Sequence, residues 1–110
     1  MLKKIELDFS NITKLEQMHQ LLKEKFGFPG FYGCNGDALI DCWSELRVSK
    51  DSLCSNVNLG KSETLILECK NLASKNKILI REFLGAVSAV NEREISRGNT
   101  PSLFICPIEI

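Results

Sequence analysis

The chain has 110 residues, 44% hydrophobic and 25% charged, a composition that suits one compact domain with a real apolar core and excludes a disordered chain. Fourteen Lys plus Arg balance fourteen Asp plus Glu, so no global field draws it to nucleic acid or to an anionic membrane, and any electrostatic role must be local. No run reaches the roughly 18 apolar residues of a membrane span, and the start MLKKIELDFS lacks the apolar core of a signal peptide. One cytoplasmic domain over residues 1–110 is the expectation.

In chain order, Lys4 to Phe9 alternate, with Ile5, Leu7 and Phe9 on one side and Glu6 and Asp8 on the other, as in a first strand. Thr13 and Glu16 have the spacing of a capping box, after which Leu15, Met18, Leu22 and Phe26 recur at helical intervals until Gly27 and Pro29 stop the helix. The segment FGFPGFYGCNG, four glycines and a proline among aromatics, reads as a loop with exposed rings. Asn35 is a plausible cap for a second helix, Gly36 to about Leu46, whose buried stripe is Ala38, Leu39, Cys42 and Leu46.

Arg47 to Ser62 is polar and aperiodic and is assigned a long connection with room for a short helical turn. The apolar runs TLILEC, residues 64–69, and SLFICPI, residues 102–108, suit parallel strands covered on both faces, and residues 76 to about 97 read as the helix between them. Pro107 ends the last strand or sits at its edge. Strands separated by helices imply βαβ crossovers, hence an α/β fold with a three-stranded parallel sheet flanked by helices.

Five cysteines, Cys34, Cys42, Cys54, Cys69 and Cys106, share no CxxC spacing and accompany one histidine, His19. Neither zinc nor a secreted disulfide frame is expected. Cys34 and Cys42, if they bracket a helix, lie about 12 Å apart, beyond disulfide reach, so the thiols read as reduced core residues.

The second helix carries the functional signal. Between Phe26 and Leu46 there is no Lys, Arg or His, while Asp37, Asp41 and Glu45 recur every four residues and share one face. A solvated helix face is the bland explanation. Against it stand the adjoining Phe31, Tyr32 and Trp43, because aromatics bordering charge are typical anchors of protein interfaces; core packing is the competing account, and the preferred one for Tyr32.

The segment FPGFYGCNGDALIDCW, with the pattern P-x-x-Y-G-x-N-x-D-A-L-x-D-C, resembles the signature of the barstar family of bacterial ribonuclease inhibitors. The likeness extends to His19 and Gln20 upstream and, more loosely, to TLILEC and the last helix and strand, omitting about 47–62. It implies a barstar-like fold and a non-enzymatic inhibitor whose second helix and preceding loop plug a nuclease active site. In that family two helix aspartates pair with basic residues of the target, roles that would fall on Asp37 and Asp41, with Gly33 and Asn35 shaping the loop. The expected partner-binding set is Phe31, Gly33, Asn35, Gly36, Asp37, Ile40, Asp41, Ser44, Glu45 and Glu92, Asp41 foremost. Phe31 stands where the family usually has tyrosine and Ile40 where barstar has tryptophan. The connection after helix two is longer, strong net acidity is absent, and the acid of the last helix falls on Glu92 or Glu94 depending on alignment.

The expected partner is thus a cognate bacterial toxin of ribonuclease type, bound as a 1:1 heterodimer in a toxin–immunity pair, without direct nucleic-acid or membrane binding. An immunity protein for another kind of toxin, or a non-inhibitory adaptor, would use the same surface. Aspartates one turn apart lack the pocket, nucleophile or second histidine of an enzyme, and His19 reads as a structural, hydrogen-bonded residue. One helix face cannot wrap the six or more oxygens calcium prefers, and no DxDxDG loop occurs, so no metal or other cofactor is expected.

Overall fold

The computed structural model describes residues 2–47 and 54–109. Three strands, β1 (Leu2–Asp8), β2 (Thr64–Lys70) and β3 (Leu103–Ile108), form a parallel sheet in the order β1-β2-β3. The helices are α1 (Leu15–Phe26) and α2 (Gly36–Trp43) between β1 and β2, and α3 (Lys77–Ser96) between β2 and β3. The α/β class and the three-stranded parallel sheet are as expected from sequence.

The register explains which strand residues form the core. Leu65 faces Leu103, Leu67 lies between Ile5 and Ile105, and Cys69 lies between Leu7 and Pro107, so one face of the sheet gathers the buried side chains. The alternate residues, Leu2, Ile66 and Phe104 among them, are exposed or half-buried on the opposite face. Burial on both faces, expected from the apolar runs, is therefore corrected. Because the strands pair in chain order, right-handed crossovers bring both helical layers to the same side. Pro107 is tolerated because β3 is an edge strand.

Local chemistry shifts several boundaries. At α1 the capping partner is Gln17 rather than Glu16: its Oε1 accepts from Thr13 N at 2.8 Å and Lys14 N at 3.1 Å. Gly27 ends α1 with φ +67°, and a Cβ there would lie 2.2 Å from the Asn56 side chain, so glycine is required twice over. The connection after α2 is more ordered in its second half than its polarity suggests. Asn56 N donates to Phe26 O at 2.7 Å, Ser55 Oγ donates to the same carbonyl at 2.8 Å, and Leu59 is buried. Residues 48–53 of this connection, for which a short helical turn was allowed, lie outside the described residues.

Helix α2 is shorter than its periodicity implies. It stops at Trp43, where Ser44 Oγ folds back to donate to Ile40 O at 2.6 Å and i→i+3 bonds from Glu45 and Leu46 tighten the chain into turns. Its inner side is Leu39, Cys42 and Trp43. Trp43, read as a possible surface anchor, is instead core, edge-on to Phe26 at 5.7 Å and Phe83 at 5.8 Å. Of the five cysteines, Cys42 and Cys69 are buried, Cys54 and Cys106 half-buried, and Cys34 is exposed in the loop, outside the core assigned to it.

Candidate functional site

The loop before α2 is anchored from below. Phe28 stacks between Phe26 and Tyr32, with ring centroids 5.4 and 4.8 Å away, and Tyr32 N donates to Pro29 O at 2.9 Å to close the turn. His19, 1% exposed on α1, has Nδ1 2.6 Å from Tyr32 Oη and Nε2 2.6 Å from Glu82 Oε2 on α3. One buried imidazole thus links the loop to two helices, in keeping with the structural role assigned to it. Burial also drives the Tyr32 phenol above its usual pKa.

With Tyr32 turned inward, its neighbour Phe31 points out and is 74% exposed. Gly33 and Asn35 shape the remainder. Asn35 Oδ1 accepts from Ala38 N at 2.8 Å as the cap of α2, and Asn35 Nδ2 donates to Gly33 O at 3.3 Å. A Cβ on Gly33 would stand 3.2 Å from Asn35 Nδ2, disturbing that cap. Gly36 packs near the Glu82 side chain. Cys34 between them adopts φ +52°, an uncommon conformation for a non-glycine residue.

On α2 itself, Asp37 and Asp41 are exposed one turn apart, Ile40 is half-buried against the core, and Ser44 is buried. Glu45 lies beyond the regular helix and is half-buried, so the acidic face consists of two aspartates rather than three acids in a row. Nor is that face unneutralised. Arg93 Nη1 on α3 lies 3.3 Å from Asp41 Oδ1 and donates to Ser44 Oγ at 3.1 Å. The Asp41 and Arg93 side chains remain 73% and 47% exposed, so both charges are within reach of a visitor.

The α3 residue that reaches Asp41 is therefore a cation. Glu92, the preceding residue, is exposed and turned by about 100° around the helix from Arg93. Glu94, the alternative acid, is buried in the scaffold, its carboxylate 3.1 Å from Arg47 Nη1 and 3.1 Å from Arg97 Nη1. Sequence reasoning missed Arg93 and Arg47. A signal for the second was present: Phe83, Val87, Val90 and Glu94 share a helical stripe, and a carboxylate on an apolar stripe demands a buried partner. Among the described residues no three His, Cys, Asp or Glu side chains gather as a metal site, and no helix is long and apolar enough to cross a membrane.

A parallel sheet backed by helices thus carries a ring-bearing loop and two exposed aspartates on a short helix, one of them paired with Arg93. A family model described as barstar, the barnase inhibitor, matches residues 2–104, and the chain belongs to the barstar family. A curated relative named "Putative ribonuclease inhibitor YrdF", from Bacillus subtilis (strain 168), is 37% identical over 73 residues, covering 61% of this chain and 80% of that protein.

Proposed function

We propose that the chain is a non-catalytic inhibitor of a bacterial ribonuclease, plugging the enzyme's active site with α2 and the loop before it as the immunity half of a toxin–immunity pair. The observation that carries the reading is the pair of exposed aspartates on a short, doubly anchored helix beside the exposed Phe31 ring. A cleft built from Arg, Lys and His to hold phosphates accepts carboxylates set at comparable positions on a rigid support. Inhibition then requires no bond to be made or broken. Phe31 supplies the apolar anchor, Gly33, Asn35 and Gly36 hold the loop in shape, and Ile40, Ser44 and Glu45 border the contact. Glu92, further along α3, belongs to the rim. The complex is a 1:1 heterodimer formed in the cytoplasm.

Family membership and the named relative support this at the level of ribonuclease inhibition. The test is affinity capture of the partner by the full chain, followed by an RNA-cleavage assay of that partner with increasing chain. Cleavage should stop at one equivalent. Asp37→Ala with Asp41→Ala should restore it while leaving the melting temperature nearly unchanged. Loss of one member of a desolvated charge pair typically costs about 2 to 5 kcal/mol of binding, a range that barnase with barstar helped define. Cleavage that persists at saturating chain would refute the reading.

A further inference from the structure

Arg93 is unexpected on a surface meant to meet cations. Its guanidinium sits between Asp41 and Ser44, bound to both through Nη1, yet stays about half exposed. The scaffold's own ion contact with α3 is separate: Arg47, in the turns after α2, pairs with Glu94, both buried, and the half-exposed Arg97 takes the other Glu94 oxygen. Exposed pairs of this kind contribute little to folding, so stability is a weak reason for the Asp41–Arg93 contact. Its larger effect is on the charge an approaching protein meets.

Resting on the reading above, we propose that Arg93 determines partner specificity: it sets a cation among the aspartates, so the face repels a cleft lined by positive charge alone and selects a ribonuclease whose cleft also presents an anionic group opposite Arg93. Like charges brought together across an interface repel and weaken association, whereas opposite ones fix register and partner choice. Asp41 offers Oδ1 to Arg93, leaving its other oxygen to face the partner's cation. The favoured cleft therefore presents both signs about one guanidinium's width apart. The chain's zero net charge fits such a partner better than a purely basic one.

The test uses the full chain carrying Arg93→Lys, Arg93→Ala or Arg93→Glu. It reads inhibition of RNA cleavage by two enzymes: barnase as the probe, and the ribonuclease captured by the wild-type chain. Against barnase, Arg93→Ala should inhibit about ten-fold more strongly than wild type, Arg93→Glu more strongly still, and the gain should shrink as salt rises. Against the captured enzyme the order should reverse, and Arg93→Lys should behave as wild type with both. Melting temperatures should stay close together, separating recognition from folding. No gain on barnase, or a change of the same sign with both enzymes, would overturn the proposal, the latter because Arg93 would then merely compete for Asp41. A failure of the underlying reading looks different: Asp41→Ala would leave inhibition of the captured enzyme intact.

Discussion

Two arginine–carboxylate contacts join the α2 region to α3, and they have opposite characters. Arg47, in the turns after α2, is 6% exposed and Glu94 4%; Arg47 also donates to Glu63 O at 2.6 Å, to Thr100 O at 2.5 Å and to Pro101 O at 3.2 Å. Asp41 and Arg93 make a single contact in solvent. The chemistry is the same and the environment decides the role. A buried charge must be fully partnered, so the first pair binds four segments of chain together, whereas water tolerates the second pair half-made and leaves it open to exchange.

The comparison breaks most visibly at Arg47. Arg47→Ala takes from the buried Glu94 one of its cationic partners and from several carbonyls their donor, so urea denaturation should show a loss of about 3–5 kcal/mol. Alkaline titration probes the same buried side. Burial pushes the Cys42 thiol up to about 12, aided by Cys54, and burial likewise pushes Cys69 up to about 12, from an ordinary 9.0. The unfolded chain therefore releases these protons first, and stability should fall as pH rises from 9 towards 12. Denaturation midpoints measured across that window should fall less steeply in Cys69→Ala, by about one proton's worth of slope. Asn35→Ala, which removes the cap of α2, should cost about 0.5–2 kcal/mol. The smallest effect belongs to the exposed pair: Asp41→Ala and Arg93→Ala should each change unfolding free energy by less than about 1 kcal/mol. A double-mutant cycle for Asp41 with Arg93 should give a weak coupling that vanishes at high salt; for Arg47 with Glu94 the coupling should be strong and salt-resistant.

Periodicity carries far where one physical rule dominates. Strand β2 lies almost where its apolar run puts it, and helix α3 fills nearly all of the interval assigned to it, Asn76 capping its first turn. Asn35 as the α2 cap was legible because few residue types can satisfy the first amides of a helix. The end of α2 was not, because it depends on Ser44 turning its hydroxyl onto Ile40 O, a local competition that apolar spacing does not register. Trp43 was misjudged for a related reason. Asp41, Ser44 and Glu45 beside it are charged or polar, and the partners Phe26 and Phe83, distant in the chain, help make it core. Arg93 escaped notice because a long-range contact between two solvent-exposed side chains leaves no pattern in either helix.

The inward side of α2 has a further consequence. Eight residues are too few to stay helical alone in water, so this helix owes its form to the Asn35 cap, the Leu39 and Trp43 contacts and the frame to which Arg47 ties the following turns. None of those groups is Phe31, Asp37 or Asp41. The outward positions are thus interchangeable without refolding the molecule, and a lineage can retarget the surface one side chain at a time while inheriting the scaffold intact.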